Sequence, residues 1–285
     1  MNIKTIGVVG CGLMGSGIAE VCARHGYNVI VREVNDDFLQ KGLERVQGSL
    51  ARAVDRKKLS AAERDAAWAR IRGTTALSDF AACDLVIEAA IENLELKKQI
   101  FKELDAVTRP AVILASNTSS LAVTDMAGMT RKPDKVIGTH FFNPVPVLPL
   151  LEIVRTFLTS EETLQTMRAF GEGLGKTIIV SKDAPGFIVN ALLIPYLLDA
   201  VRMVENNFAT KEDIDTGIRL GLNHPMGPLT LLDFVGLDTT LFIADEVFKE
   251  IKDARFAAPA LLRRMVAAGY NGRKSGKGFY DYSKQ

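Results

Sequence analysis

Residues 6–20, IGVVGCGLMGSGIAE, decide the fold of the N-terminal part of this chain. The apolar run before the glycines predicts a strand, and the residues after them, 13–25, follow helical periodicity. Gly10, Gly12 and Gly15 match G-x-G-x-x-G: the first permits a tight turn, the second lets a phosphate approach the backbone, and the third lets helix and strand pack closely. Strand, glycine turn and helix in this order predict a Rossmann-type unit that binds a dinucleotide.

The next strand, predicted at 28–31, ends close to Glu33, eighteen residues after Gly15. A carboxylate at this place accepts hydrogen bonds from the adenosine ribose hydroxyls and repels a 2′-phosphate, so Glu33 favours NAD over NADP. The neighbouring Arg32 leaves NADP open as an alternative, because an arginine on that side of the strand accommodates the phosphate. The residues of the loop expected to contact NAD are Gly10, Gly12, Leu13, Met14 and Gly15.

Strand and helix patterns then alternate up to residue 182. Further strands are predicted at 74–77, 85–88, 112–115, 136–138, 150–154 and 177–180, with helices at 36–58, 61–69, 94–107 and 161–171. This alternation predicts an α/β domain over 1–182, with a mostly parallel, doubly wound sheet covered on both faces.

After residue 180 the pattern changes, and SKDAPG at 181–186 is typical of a linker. Only helices are predicted beyond it, at 187–205, 211–220, 228–251 and 259–268. The first of them is so apolar that we expect burial nearly all round and a kink at Pro195. Residues 183–285 are therefore predicted to form an all-α domain that contributes to substrate binding or to a subunit contact.

Composition excludes several classes of protein. Of 285 residues, 35 are basic and 34 acidic, a balance that gives no reason to expect nucleic acid or a membrane surface as a partner. No apolar run is long enough for a membrane span, and the first residues enter a strand pattern instead of a signal peptide. The three cysteines, Cys11, Cys22 and Cys83, have no metal-binding spacing, so we expect reduced thiols, a cytoplasmic location and no metal.

Three polar side chains stand in apolar surroundings: His140 at a strand end, Glu152 in LPLLEIV, and Asn190 in the apolar helix. Burying each without a partner costs about 1–3 kcal/mol, so they are expected to be hydrogen-bonded. Singly, each has a structural interpretation, as a satisfied core histidine, a solvent-facing glutamate or an asparagine bonded to a carbonyl. Beside a hydride-accepting cofactor they suggest a general base, the carboxylate that orients it and an amide that binds the developing carbonyl oxygen.

The segment ASNTSSL at 115–121 ends a predicted strand, on the edge of the sheet where ligands bind in open α/β folds. A helix N-cap by Asn117, Thr118 or Ser119 is the structural alternative there.

Together these motifs resemble those of the short-chain L-3-hydroxyacyl-CoA dehydrogenase family, and within it the bacterial 3-hydroxybutyryl-CoA dehydrogenases. The resemblance runs from Ile6 to Tyr280 and rests on GCGLMGSGIA (10–19), VIEAAIENLELK (86–97), ASNTSSL (115–121), HFFNPVPVLPLLEIV (140–154), DAPGFIVN (183–190), HPMGPLTLLDFVGLD (224–238) and GRKSGKGFYDY (272–282). It implies a homodimer formed through the C-terminal helices and a role in fatty acid β-oxidation or butanoate metabolism.

The resemblance also implies roles for single residues. His140 matches the catalytic base, paired with Glu152, while Ser119 and Asn190 match contacts to the substrate oxygen. Asn143 matches a residue near the nicotinamide and the substrate. The remaining residues expected to contact NAD are Glu33, Glu92, Lys97, Ser119, Asn143 and Lys274. At Glu33 the family usually has aspartate, so cofactor affinity is expected to differ while the NAD preference remains.

The predicted helix at 36–58 carries a basic face. Lys41, Arg45, Ser49, Arg52 and Arg56 are spaced by three or four residues and therefore lie on one side. Such a stripe is commonly just solvated surface, but the phosphates of a CoA substrate require a patch of this kind. The family contacts CoA in this region, with Ser49 and Arg56 at matching places, so we expect Ser49, Arg52 and Arg56 to bind CoA. Ser119 and Asn143 are expected at its acyl end.

The resulting prediction is reversible, NAD-dependent oxidation of a short-chain (S)-3-hydroxyacyl-CoA, such as 3-hydroxybutyryl-CoA, to the 3-oxoacyl-CoA. Two alternatives remain: a dehydrogenase of a non-CoA hydroxy acid on the same fold, and an NAD-binding protein without catalysis. The basic face argues against the first, and the residues His140, Glu152 and Asn190 argue against the second.

Overall fold

One eight-stranded sheet organises the N-terminal part of the chain in a computed structural model that describes residues 3–283. Its strands are β1 (Thr5–Val9), β2 (Asn28–Arg32), β3 (Ile71–Thr74), β4 (Leu85–Glu88), β5 (Ile113–Ser116), β6 (Val136–Phe141), β7 (Leu150–Arg155) and β8 (Thr177–Lys182). They lie in the order β3-β2-β1-β4-β5-β6-β7-β8. The β6–β7 pair is antiparallel and the other neighbouring pairs are parallel, which confirms the predicted mostly parallel sheet.

Six helices accompany the sheet within the described residues: α1 (Leu13–Arg24), α2 (Asp36–Asp55), α3 (Ala61–Trp68), α4 (Leu94–Val107), α5 (Val123–Ala127) and α6 (Glu161–Gly173). Asn35 and Asn93 cap α2 and α4 by accepting hydrogen bonds from backbone N–H groups of the first turn. Ser60 and Glu63 form a capping box at the start of α3. These side chains satisfy N–H groups that have no partner within the helix, which explains why the helix starts were predictable.

The glycine loop has the geometry that its sequence requires. Gly10 has φ +91°, in the region that favours glycine, and a Cβ on Gly15 would lie only 1.8 Å from the carbonyl oxygen of Gly10. The loop therefore brings the start of α1 against the end of β1. Apolar side chains of both elements, such as Val8 and Ile18, are fully buried in the core of this unit.

Contacts divide the chain after Ala184, into 1–184 and 185–285, two residues later than the predicted boundary. The second unit contains the helices α7 (Val189–Glu205), α8 (Lys211–Gly221), α9 (Pro228–Val235), α10 (Leu237–Ile251) and α11 (Ala260–Ala267). Its separate core includes Leu197 and Val201 of α7 and Leu229 of α9. The prediction of an all-α C-terminal domain is confirmed.

One strand lies elsewhere than predicted. The sequence pattern suggests a strand at 74–77, whereas β3 spans Ile71–Thr74 and pairs with β2 from Val29 onward. The hydroxyl of Thr74 accepts the N–H of Ala76, so the chain turns directly after the strand. A 3₁₀ turn then begins at Leu77.

Two expectations about the helical unit are also wrong. The helix predicted at 228–251 is two helices, because Gly236 between them has φ +104°, which no α-helix contains. The first helix, α7, is not buried all round, since Leu192 is 72% exposed and Ile188, just before the helix, 40% exposed. Its core side is formed by residues such as Ile194 and Leu198.

Candidate active site

The dinucleotide loop and Glu33 lie together at the carboxyl end of β1 and β2. Gly12 is the N-cap of α1 and a Cβ added to it would meet no atom within 4 Å, so a phosphate has room to approach the backbone. The Glu33 carboxylate accepts the N–H of Cys11 at 2.6 Å, which holds it beside the loop. Arg32 instead donates to the carbonyl oxygen of Thr75, at 3.4 Å, on the β3 side of the sheet. These residues fit NAD.

His140 and Glu152 face each other across the antiparallel β6–β7 pair, in which they are register partners. The His140 Nδ1 lies 2.9 Å from a Glu152 carboxylate oxygen. Both are buried, at 5% and 0% exposure, which confirms the burial expected from sequence. Because a carboxylate only accepts hydrogen bonds, Nδ1 carries the proton in the neutral ring and Nε2 is the basic nitrogen.

The segment after β5 is held to the segment after β4 by Glu92. One oxygen of this carboxylate accepts the backbone N–H of Ser119 at 2.7 Å and the hydroxyls of Ser119 and Thr118 at 3.2 and 3.1 Å. Neither residue caps a helix, since α5 begins at Val123 with Ala122 as its N-cap. The interpretation as an N-cap is therefore wrong.

Asn117 is not a helix cap either, and it connects this segment to the histidine strand. Its side-chain oxygen accepts the N–H of Phe141 at 3.0 Å, one residue after His140. Ser119 and His140 are thus carried by neighbouring strand ends that share a hydrogen bond.

Lys97 is buried to 1% exposure, and its ammonium lies 2.6 Å from Glu88 and 3.4 Å from Glu92. Its expected contact with NAD remains a prediction. Glu88 was missed by the sequence analysis, although the same signal that marked Glu152 was present: one carboxylate in a short apolar strand, here LVIE.

The basic face of α2 borders a cleft of about 420 Å³, including its open mouth. Its lining includes Ser49 and Arg52 from α2 and Asn143 from the segment that follows β6. Residues predicted for the CoA end and the acyl end of the substrate therefore share one cleft. Arg56 lies at the C-cap of α2, and Arg45 donates to the carbonyl oxygen of Cys11 at 2.9 Å.

Glu20 of α1 also lines this cleft and was missed by the sequence analysis. It is 1% exposed, and burial raises its pKa, although a hydrogen bond from Ser49 and the charges of Arg24 and Arg52 oppose the rise. The signal was available, because Glu20 is the one charged residue among positions 13–23. The basic face of α2 therefore has an acidic neighbour on α1, which the spacing of residues within α2 could not reveal.

Two predicted residues belong to the second unit. Asn190 lies in the first turn of α7 and is 6% exposed. Lys274 forms an ion pair with Asp238 at 2.6 Å. Their predicted contacts, with the substrate oxygen and with NAD, remain predictions.

In residues 3–283, three further features concern membrane-spanning helices, disulfides and groups of metal ligands. None of the helices in this range is long and apolar enough to cross a membrane. All three cysteines are free and buried. Over the same range, no three His, Cys, Asp or Glu side chains are grouped as metal ligands would be.

Comparison with known proteins agrees with the loop and the sheet. The family model for the NAD binding domain of 3-hydroxyacyl-CoA dehydrogenase matches residues 5–184, and the model for its C-terminal domain matches residues 186–282. A protein of Mycobacterium tuberculosis named 3-hydroxybutyryl-CoA dehydrogenase is 51% identical over 282 residues, covering 98% of this chain and 99% of that protein.

Two solved structures are similar over nearly the whole chain. FadB2 of M. tuberculosis superposes with a TM-score of 0.97 at 50% identity, covering 99% of this chain and all of that one. PaaH1 of Ralstonia eutropha, an (S)-3-hydroxybutyryl-CoA dehydrogenase, superposes with a TM-score of 0.94 at 46% identity and the same coverage.

A Rossmann-type unit with a glycine loop after its first strand and an acid after its second is typical of proteins that bind a dinucleotide. The two family models match consecutive parts of the chain, residues 5–184 and 186–282, so the chain belongs to the 3-hydroxyacyl-CoA dehydrogenase family. The predictions of NAD as cofactor and of an oxidoreductase are confirmed.

Proposed function

We propose that this chain catalyses the reversible oxidation of a short-chain (S)-3-hydroxyacyl-CoA, with 3-hydroxybutyryl-CoA as the preferred substrate, to the 3-oxoacyl-CoA. The observation that carries the proposal is the buried His140–Glu152 pair, whose Nδ1 and carboxylate oxygen are 2.9 Å apart. His140 lies on β6, which pairs with β5, the strand that leads to Ser119. A base of this kind is needed to take the proton from the hydroxyl oxygen while the carbon that bears this oxygen loses hydride.

Bound NAD supplies the acceptor for that hydride, held by the glycine loop and Glu33. His140 Nε2 takes the proton of the 3-hydroxyl as the C3–O bond becomes a carbonyl, and in the reverse direction the imidazolium returns it. Glu152 holds the ring orientation and stabilises the imidazolium. The family resemblance assigns Ser119 and Asn190 to the substrate oxygen. The hydroxyl of Ser119 has one proton, which it donates to Glu92 at 3.2 Å, so it turns that proton to the substrate oxygen when substrate binds, while the backbone N–H of Ser119 stays on Glu92.

The CoA part of the substrate is assigned to the basic face of α2. Arg52 and Ser49 line the cleft that also contains Asn143, which supports one continuous path for a long thioester. Arg56, at the exposed end of the helix, is assigned to the phosphates. The similar proteins named 3-hydroxybutyryl-CoA dehydrogenase favour the same substrate.

We also infer a homodimer formed through the helical unit, in a cytoplasmic setting and in fatty acid β-oxidation or butanoate metabolism. Exposed apolar side chains support the dimer, notably Leu192 of α7, at 72%, and Leu220 of α8, at 71%. The free thiols of all three cysteines are consistent with a reducing compartment. Light scattering tests the dimer: Leu192→Lys should give monomers, whereas a dimer unaffected by Leu192→Lys and Leu220→Lys together contradicts this interface.

Reduction of acetoacetyl-CoA by the full chain tests the reaction, followed as loss of NADH absorbance. We expect turnover with NADH, much slower turnover with NADPH, and little with free acetoacetate. Equal rates with acetoacetate and its CoA thioester would support the dehydrogenase of a non-CoA acid instead. Absence of turnover across acyl chain lengths, with NADH still bound, would leave a non-catalytic NAD-binding protein.

A further inference from the structure

Glu88 is a buried carboxylate to which the proposed reaction assigns no task. It ends β4 at 0% exposure, and both of its oxygens are engaged. One accepts the ammonium of Lys97 at 2.6 Å and the backbone N–H of Ala90 at 2.7 Å. The other accepts the hydroxyl of Ser116, the last residue of β5, at 2.6 Å. Glu88 therefore joins the chain segments that leave two neighbouring strands at the carboxyl edge of the sheet.

One route leads from Glu88 to Ser119 through charges. Lys97 lies between two carboxylates, at 2.6 Å from Glu88 and 3.4 Å from Glu92, and it also donates to the carbonyl oxygen of Ala90 at 3.3 Å. Glu92 in turn accepts the N–H and the hydroxyl of Ser119. The position of Ser119 thus depends on where the Lys97 ammonium is held.

A second route leads through Ser116. The hydroxyl that donates to Glu88 also accepts the backbone N–H of Thr118 at 3.2 Å. The hydroxyl of Thr118 donates to Glu92 and accepts the N–H of Leu121 at 3.0 Å. Both routes end on the turn that carries Ser119.

We infer that Glu88 is a positioning residue for this reaction: with Lys97 and Ser116 it holds Glu92 and Ser119 where the hydroxyl of Ser119 meets the substrate oxygen. Without the charge of Glu88, the Lys97 ammonium keeps Glu92 as its partner and draws it away from Ser119. The inference rests on the proposed function, which assigns Ser119 to the substrate oxygen.

A double-mutant cycle on acetoacetyl-CoA reduction tests this role. Glu88→Gln keeps the side-chain shape and removes the charge, and we expect kcat/KM to fall about tenfold or more, as for coupled neighbours in one network. Ser119→Ala should lower kcat/KM strongly in the wild-type chain and by less than about threefold in the Glu88→Gln background. A buried carboxylate that only stabilises the fold would instead give additive effects, and additivity overturns the inference.

Asp105→Asn is the matched control. Asp105 is also a buried carboxylate of this unit, at 7% exposure, and pairs with Arg131 near the other end of α4. Its loss should lower the melting temperature and leave kcat/KM unchanged. Equal losses of kcat/KM in Asp105→Asn and Glu88→Gln would show a general stability effect and contradict the inference.

Ser116→Ala provides a second cycle if Glu88→Gln fails to fold. It removes one link and leaves all charges, so a smaller loss of kcat/KM is expected, again non-additive with Ser119→Ala. If the wild-type chain does not reduce acetoacetyl-CoA, the proposed function fails. If it does, and His140→Ala is inactive while both cycles are additive, only the role of Glu88 fails.

Discussion

His140 and Glu152 are paired by the register of the sheet, because they are opposite residues of the antiparallel strands β6 and β7. Side chains of directly opposite residues lie on the same face of a sheet, so the backbone hydrogen bonds hold the two together. The 2.9 Å contact therefore depends on two strands in the core and not on a mobile loop. This placement supports the proposed role of His140 as the general base, because the orientation of its ring does not depend on a loop.

This geometry predicts different results for changes of its two members. His140→Ala should lower kcat by several orders of magnitude while NADH still binds, since the glycine loop is untouched. Glu152→Gln should lower kcat by about 10²–10⁴-fold, because the amide neither fixes the tautomer nor stabilises the imidazolium. Stopped-flow turnover and NADH fluorescence titration measure both quantities. Near-normal kcat in His140→Ala would overturn the assignment of the base.

The basic face of α2 predicts a change of KM rather than kcat. Arg52→Glu together with Arg56→Glu should raise the KM for acetoacetyl-CoA about tenfold, with little change in kcat, since it replaces attraction for phosphates by repulsion. The increase should shrink in high salt, because both side chains are exposed.

A charge-matched control is available on the same unit. Lys102→Glu together with Arg168→Glu reverses two exposed charges that do not line the cleft. This variant should keep the wild-type KM. The same KM in both double variants would remove the α2 face from the substrate site.

Glu33 predicts the strength of cofactor binding. Glu33→Gln should raise the Kd for NAD by about tenfold to a hundredfold, the loss expected for hydrogen bonds to a charged group. Arg32→Gln should leave that Kd nearly unchanged, because Arg32 is bonded to Thr75 on the β3 side. Isothermal titration of each variant with NAD and NADP compares them. If Arg32→Gln raised the Kd more than Glu33→Gln, the assignment of the ribose contact to Glu33 would be wrong.

Glu20 predicts a pH-dependent stability. Burial raises its pKa in the folded state, so the folded chain holds this proton more tightly than the unfolded chain. The stability associated with Glu20 is therefore complete below the unfolded pKa and is lost as pH rises through the folded pKa. Glu20→Gln avoids that loss, so its melting temperature should rise relative to the wild type as pH increases above the ordinary carboxyl pKa of 4.5.

Calorimetry at several pH values above 4.5 measures whether the melting temperature of Glu20→Gln rises relative to that of the wild type. Glu44→Gln is the control, because Glu44 is an exposed carboxylate of α2. The difference in melting temperature between Glu44→Gln and the wild type should depend less on pH. A difference between Glu20→Gln and the wild type that shrinks with rising pH would contradict the cause assigned to the raised pKa.

Patterns confined to a short stretch of chain were predictable in detail. The bounds of α4 and β4 were predicted to the residue, because caps and hydrophobic periodicity act within a few positions. The strand at 71–74 was misplaced, because its bounds depend on pairing with β2, more than forty residues earlier. The break at Gly236 was missed for a different reason, since glycine is compatible with helix and only its positive φ excludes it.

The sequence by itself determined the α/β class, the glycine loop, Glu33 and the three lone polar residues, because each is marked by composition, spacing or an unusual neighbour. Tertiary structure alone decided which of these groups meet. Glu88 reaches Ser116 across 28 positions of the chain, and Glu20 faces Ser49 from a different helix. Such contacts follow from strand register and helix packing, which bring together side chains that no local pattern relates.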